Sequence, residues 1–271
     1  MSTRTLLNLI LASVALLLVL VVFYQPGLEP EQPAPPITTI PVESISSVRV
    51  TRKERTPLTF TKNATGWQLE QQQDLPASKF QIHALLGILG TRPARSYPSS
   101  ELNLASAGLE PPQATLLLND TLIYIGNTEP LEHKRYIQHA DRVYLVTDTY
   151  QHLINADWTN FIDRRLLPEN AMPGSVQLPG NPDIEASDMP ALLAQWQTAT
   201  ATYVRRYQGK ATSDTIIVKL AGSDEAITLT IVEQEPELVL ARPEWNVQYH
   251  FPGQMRDALL GQPAQEETSK Q

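Results

Sequence analysis

A long apolar run at the N-terminus constrains this chain more than any other feature. From Thr5 to Tyr24 the sequence is almost wholly apolar, broken only by Asn8 and Ser13. A helix of about 20 residues, rising roughly 1.5 Å per residue, covers a bilayer hydrocarbon core of about 30 Å. A cleaved signal peptide would carry an apolar region of about 7–15 residues and a small-residue cleavage site. Here the run ends in Val21-Val22-Phe23-Tyr24-Gln25-Pro26, with no Ala-x-Ala. The pattern predicts an uncleaved anchor over residues 5–24, with Tyr24 suited to the interface. Arg4 and the terminal amine precede the run, and Glu29 and Glu31 follow it. The positive-inside rule then places the N-terminus in the cytoplasm and the remainder outside, which is the periplasm in a Gram-negative cell.

Prolines 26, 30, 33, 35, 36 and 41 follow the anchor. Such a segment favours an extended, semi-rigid spacer at about 3.1 Å per residue, which predicts a tether over residues 25–42. The whole chain has 271 residues, 42% of them hydrophobic, which is enough for a buried core. Its net charge of -8 argues against a nucleic-acid binder, which would show a basic footprint. The absence of cysteine excludes disulfides, thiol nucleophiles and Cys-ligated zinc or iron–sulfur centres.

Beyond the spacer, apolar and polar residues alternate over Ser44–Thr51 and, more weakly, over Pro57–Lys62 and Trp67–Glu70, predicting a three-stranded meander with one wet face. Arg49, Arg52, Lys53, Arg55 and Lys62 make that meander basic; a solvated strand face accounts for them more simply than an anionic-ligand site. Ser78 and Gln81 have capping-box spacing, and Ile82, Leu85, Leu86 and Leu89 follow the i, i+3, i+4, i+7 rhythm of a helix face. Gly108-Leu-Glu-Pro111-Pro112 reads as a rigid corner, because proline cannot continue a helix and pushes its predecessor to extended backbone. Strands are predicted at Ala114–Leu118, Thr121–Ile125, Arg135–Gln138 and Arg142–Thr147. Asp148 with Gln151 suggests a capped helix start, and Ala156–Leu167 a mostly helical connector anchored by Trp158, Phe161, Leu166 and Leu167.

The same order recurs downstream. Ser187 or Asp188 is placed to cap a helix with Met189, Leu192, Leu193 and Trp196 on one face. Strands at Thr215–Leu220, Ala226–Val232, Glu237–Ala241 and Asn246–Phe251 follow, then a short helix at Gln254–Leu260. The expected fold class is α+β: an N-terminal transmembrane helix, then two tandem helix-plus-antiparallel-meander repeats. The expected boundaries are residues 1–24 for the cytoplasmic N-terminus and anchor, 25–42 for the linker, 43–168 and 169–262 for the repeats, and 263–271 for a polar tail.

No Gly-x-Ser-x-Gly elbow, His-Glu-x-x-His or phosphate-cradling glycine loop occurs. His133 and His139, with Glu132 or Asp141, would make at most a weak metal site, and exposed loop residues explain them better. The run Asp183, Glu185 and Asp188 is accounted for by solvation and helix capping. Asp163 with Arg164 and Arg165 is the most suggestive charged group, read as an ion pair or cap between the repeats.

Several motifs together resemble a family of uncharacterised bacterial envelope proteins, the domain of unknown function called forty-three-forty. They are the anchor, the Ile45–Val50 strand, Gly66-Trp67-Gln-Leu, the Gly108-Leu-Glu-Pro-Pro corner, Ile125-Gly126, Val143-Tyr-Leu-Val and the Phe161–Leu167 block. The resemblance covers roughly Ile45–Pro168. It implies an inner-membrane, single-pass, extracytoplasmic α+β protein, some of whose relatives are encoded beside auxiliary components of ABC-type export or gliding systems. It supplies no catalytic residue to carry over.

The expected function is a non-enzymatic, membrane-tethered interaction module, an accessory subunit of an envelope or transport assembly. It needs no cofactor or metal, and its partners are the inner membrane through residues 5–24 and an envelope or membrane protein. Gly108, Pro111, Pro112, Asp163, Arg164 and Arg165 are the structural or interaction candidates. The alternatives are a small-ligand-binding domain with its site between the repeats, and an unrecognised hydrolase.

Overall fold

A computed structural model describes residues 3–24, 34–70, 75–180, 183–185, 190–209, 214–223 and 226–261. The chain divides into two compact units, Met1–Pro35 and Pro36–Gln271. In the first, α1 (Thr3–Tyr24) is continuous. Its Arg4–Val21 window has a mean hydropathy of 2.3, making it long and apolar enough to cross a membrane.

The second unit is α+β and rich in antiparallel sheet. Its first strands are β1 (Ser47–Arg52), β2 (Arg55–Asn63), β3 (Gly66–Leu69) and β4 (Leu75–Pro76). Helix α2 (Lys79–Leu86) and β5 (Arg95–Pro98) follow, then β6 (Ala114–Leu118), β7 (Thr121–Thr128), β8 (Lys134–His139), β9 (Arg142–Thr147) and the short α3 (Gln151–Ile154). These strands form one nine-stranded sheet in the order β4-β3-β2-β1-β6-β7-β8-β9-β5. Period-2 alternation decides which face packs: Val48 and Val50 lie opposite Leu118 and Leu116, and all four are buried. Helix α2 covers that face with Ile82, Leu85 and Leu86, none of them exposed. Each such aliphatic side chain contributes about 1.5–3 kcal/mol by leaving water.

The remaining elements are β10 (Pro173–Gln177), β11 (Asp183–Glu185), α4 (Pro190–Thr198), β12 (Tyr203–Arg206), β13 (Thr215–Leu220), β14 (Ala226–Glu233), β15 (Glu237–Arg242), β16 (Val247–Pro252) and α5 (Gln254–Leu260). Seven strands form the second sheet, ordered β11-β10-β13-β14-β15-β16-β12. Leu238–Arg242 and Val247–Phe251 are buried without alternation, as expected of strands covered on both faces. Trp196 of α4 is fully buried, and its indole donates to the carbonyl of Leu259 on α5 at 2.9 Å. Leu192 and Leu193 share its buried side, while Ser187, Asp188 and Met189 lie outside the described residues. One continuous hydrophobic core runs from Ile37 to Leu259 and takes in both sheets.

Several local expectations need correction. Ile37 and Thr38 are buried and donate their amides to Thr91 and Leu89, so the C-terminal part of the proline-rich segment lies in the folded body. Proline content reports backbone stiffness, not solvation, and cannot tell a tether from a packed extended strap. Ser78 does cap α2, its hydroxyl accepting from Gln81 N–H at 3.4 Å. The reciprocal half of a capping box is not available, because Ser78 N–H donates to Phe161 O at 2.6 Å. Asp148 caps nothing: α3 has no side-chain cap, and the Asp148 carboxylate binds Arg135 instead. The connector is helical only as a 3-10 turn at Trp158–Phe161, and is extended at Ile162.

Candidate functional site

That connector is the seam between the two sheets, and it carries the predicted charged triplet. Ile162 bridges to Ala77 on one side and Arg165 to Thr200 on the other. Asp163 N–H donates to Pro76 O at 3.0 Å, while Ala201 N–H donates to Arg164 O at 2.8 Å. The backbone therefore stitches the first half of the body to the second, which an internally hydrogen-bonded helix could not do. Asp163 folds back onto Arg165, whose Nε donates to both carboxylate oxygens at 3.1 Å and whose Nη2 donates to Oδ2 at 2.6 Å. That hydrogen-bonded carboxylate, ahead of the opposing effect of burial, holds the Arg165 guanidinium above its ordinary pKa. Arg164 points the other way and donates to Thr202 O at 2.8 Å.

Above this stitch lies an open groove of about 500 Å³ that Lys79, Phe80, His83, Arg164, Arg165 and Thr200 help to line. Phe80 is 76% exposed, in contrast to the buried face of its own helix. Below the groove the seam is filled by Phe161, Ile162, Leu166 and Trp196, each at most 1% exposed.

Gly108, Pro111 and Pro112 are nowhere near that groove. They form the corner before β6, with a cis bond at Glu110–Pro111 and a bridge between Leu109 and Pro112. Gly108 has φ +66°, and a Cβ there would clash with the Asn127 side chain. Ala107 and Leu109 of this corner pack with Val143 in a small separate cluster. The corner is thus packed against the end of β7, whose Asn127 N–H donates to Ala107 O at 2.7 Å.

A second cleft, of about 370 Å³, opens between the β1–β2 turn, the end of β7 and α3. Its lining includes Arg52, Lys53, Arg55, Arg135, Gln113 and Asn127. Arg52 overturns the expectation of a wholly solvated basic strand face, being only 9% exposed. Its Nη1 donates to Ala156 O at 2.6 Å, and Arg55 Nη1 donates to Asn155 O at 2.7 Å. Both cations therefore meet carbonyls at the C-terminal end of α3, where a helix presents its negative pole. Alternation along β1 does put Arg52 on the face of Val48 and Val50, and that was the available signal; the expected wet face overrode it.

The histidine pair at β8 does not assemble as a metal site. Glu132 is held by Arg95 and Lys134, each at 2.6 Å, and His139 Nδ1 faces Leu122 O at 3.1 Å. Among the described residues no group of three or more His, Asp or Glu is arranged to hold a metal. Asp188 of the acidic run lies outside them, and of Asp183 and Glu185 only the backbone in β11 is described.

One titratable network was missed because its members lie on three strands. Glu237 Oε2 accepts from the Tyr203 hydroxyl at 2.7 Å and lies 3.0 Å from His250 Nδ1. With Gln248 Nε2 donating to His250 Nε2 at 2.9 Å, the ring proton belongs on Nδ1, facing Glu237. The Tyr203 and His250 rings stack at 4.4 Å. The Tyr203 hydroxyl, and then His250, hold the Glu237 carboxyl below its ordinary pKa of 4.5. A depressed carboxyl pKa contributes stability that is complete above the ordinary value and is lost as pH falls through the folded one. Between about pH 5 and about pH 3, wild type should lose more thermal stability than Glu237→Gln. Equal losses in parallel melts would remove this contribution.

Residues 67–178 match the family described as Domain of unknown function (DUF4340). That part of the chain is similar to this family. The DUF4340 segment begins at Trp67 in β3 and ends at Leu178 just after β10, so it starts and finishes later than Ile45–Pro168. It contains the corner, the β6–β9 meander and the seam triplet, but not Arg52, Lys53 or Arg55. No curated protein and no solved structure matches the chain.

Proposed function

We propose that the protein is a membrane-tethered, non-enzymatic interaction module whose body stands on the periplasmic face of a bacterial inner membrane, as an accessory subunit of an envelope or transport assembly. The observation that carries this reading is Phe80, a phenyl ring 76% exposed beside the groove over the seam. A single exposed apolar residue is ordinary. One set at the rim of a groove where Lys79, Arg164 and Arg165 outnumber the carboxylates of Asp163 and Glu169 by one offers an apolar anchor inside a mixed-charge frame with a small positive excess, the composition expected of a docking point. The complementary partner segment presents an apolar side chain flanked by carboxylates. The filled seam below the groove favours this reading over a small-ligand site buried between the halves.

The same proposal takes the two halves as copies of one unit. In each, a helix (α2 or α4) precedes an edge strand (β5 or β12) that pairs with the last strand of the following four-stranded meander (β9 or β16). In each, a short helix then follows (α3 or α5). Cysteine pairs placed at Ser96 with Tyr144 and at Arg205 with Gln248 should each form a disulfide, and failure of the second pair would remove this argument.

The test is photo-crosslinking in intact cells. The full-length chain would carry a benzophenone amino acid in place of Phe80 or, as a control, of Leu131, which is 87% exposed on the β7–β8 connection. A discrete adduct with a membrane or envelope protein at position 80, absent at 131, is the expected result. No adduct at 80, or the same adducts at both positions, would sink the proposal.

A further inference from the structure

We propose that the cleft between the β1–β2 turn, the end of β7 and α3 binds a small molecule through an oxyanionic group, phosphoryl in character. The cleft carries uncompensated positive charge and shares no lining residue with the seam groove. Four cationic side chains, Arg52, Lys53, Arg55 and Arg135, line a space of about 370 Å³ in a chain whose net charge is -8. Arg135 has a carboxylate partner, Asp148, at 2.7 Å. Lys53 has only Glu54 at 4.0 Å, with both side chains largely exposed. Arg52 and Arg55 bond to carbonyls and, among the described residues, pair with no carboxylate within ion-pair distance.

Arg52 is the telling residue. Taking a guanidinium out of water is costly unless a charge of opposite sign answers it. Arg52 is 9% exposed, and its Nε is buried with no hydrogen-bond partner among the described residues. Burial first, and then the neighbouring Arg55, lower its pKa, with Asp157 opposing them. A concave, low-dielectric wall lined by one sign of charge concentrates field into the cleft and favours an anion there. Arginine forks match the geometry of phosphate and carboxylate oxygens, and with Arg135 neutralised by Asp148 the remaining excess of positive charge suits a doubly charged phosphoryl group best. Gln113 and Asn127 supply side-chain amides to the same wall, and Ala114 and Ile125 a small apolar patch, so the bound molecule carries a polar body as well as its charge.

Such a phosphoryl group comes either from a soluble phosphomonoester or from an anionic lipid headgroup, and one experiment separates them. The full-length protein in neutral detergent is titrated calorimetrically with inorganic phosphate against chloride at equal ionic strength. The same protein in nanodiscs is compared in zwitterionic bilayers and in bilayers containing phosphatidylglycerol, by protection of the cleft segments from hydrogen exchange. Lys53→Gln/Arg55→Gln removes cleft charge. Arg49→Gln/Lys62→Gln removes the same charge from exposed positions on β1 and β2 outside the cleft lining. Phosphate binding that weakens about tenfold or more in the first double variant and persists in the second supports the site with a soluble ligand. Protection seen only with anionic lipid, and lost only in the first variant, supports it with a headgroup. No response in either setting, or equal losses in both variants, overturns the proposal. Lys53→Gln alone, at a side chain 76% exposed, keeps the test valid if the double variant does not fold.

Discussion

Phe161→Ala is expected to lower the stability of the folded body by about 3–5 kcal/mol, with both sheets losing stability together. Phe161 is 0% exposed and sits at the end of the 3-10 turn that enters the seam. Its ring centroid lies 5.0 Å from that of Phe60 on β2, and its carbonyl accepts from Ser78, the residue that caps α2. Truncation removes a full aromatic burial and leaves a cavity that backbone bridged on both sides, at Ala77–Ile162 and Arg165–Thr200, has little freedom to collapse. The core around Phe161 is continuous from the first sheet to the second, so the loss should not stay in one of them. Urea unfolding followed by far-UV circular dichroism and by tryptophan fluorescence reads this directly. Trp67 reports on the first half of the body, Trp196 and Trp245 on the second, and Trp158, whose ring lies under Arg206 of β12, on the seam. Coincident transitions, moved together by the substitution, are the expected outcome. Separate transitions, with only one displaced, would show that the halves are energetically independent despite their shared core.

The second large effect is expected at Asp148. Its carboxylate is 16% exposed and holds an Arg135 guanidinium that is 7% exposed. Arg135 also donates to Gly126 O at 2.5 Å and to Thr128 Oγ1 at 2.9 Å, closing the β7–β8 hairpin where its register shifts between Ile125 and Thr128. Asp148→Ala strands a buried cation, and breaking such pairs costs about 3–5 kcal/mol; the partial exposure of Asp148 points to the lower end, about 3 kcal/mol. Replacing both partners, Arg135→Met with Asp148→Leu, should recover most of that loss, because the penalty comes from the unpaired charge more than from the absent bond. Chemical denaturation of wild type, of Arg135→Met and Asp148→Leu singly, and of the double variant forms a cycle with an expected coupling above about 1 kcal/mol. A cycle near zero would mean that the hairpin is held by its backbone ladder and not by this pair.

The two predictions also mark where local sequence pattern stops being informative. Phe161 was legible as a core anchor, because large apolar residues in a connector have few places to go. Its backbone conformation was misread, since Phe161-Ile-Asp-Arg-Arg-Leu-Leu has acceptable helical composition and the competing strand-like partners are Ala77 and Thr200, remote in sequence. Asp148 was misread for a related reason. Its spacing to Gln151 fits a helix start, but a buried arginine across the hairpin binds a carboxylate more strongly than an exposed helix turn does. The seam triplet was read as an ion pair or cap between the repeats, whereas Asp163 and Arg165, two residues apart, pair within the connector itself. Of the basic cleft, Arg52, Lys53 and Arg55 were legible as a local basic cluster, but their meeting with Arg135 of β8 and the cleft itself were not, because they depend on the pairing of β1 with β6.

The sequence by itself determined the apolar helix, the meander strands and the buried face of α2. In each, the deciding pattern repeats within a few residues: an unbroken apolar run, a period of 2, or an i, i+3, i+4 spacing. The tertiary structure alone decided the strand order of the two sheets, the extended course of the seam, the burial of Arg52 and the meeting of Tyr203, Glu237 and His250. Those features depend on which distant segments pair and in what register, and a one-residue change of register would turn each of these side chains to the opposite face.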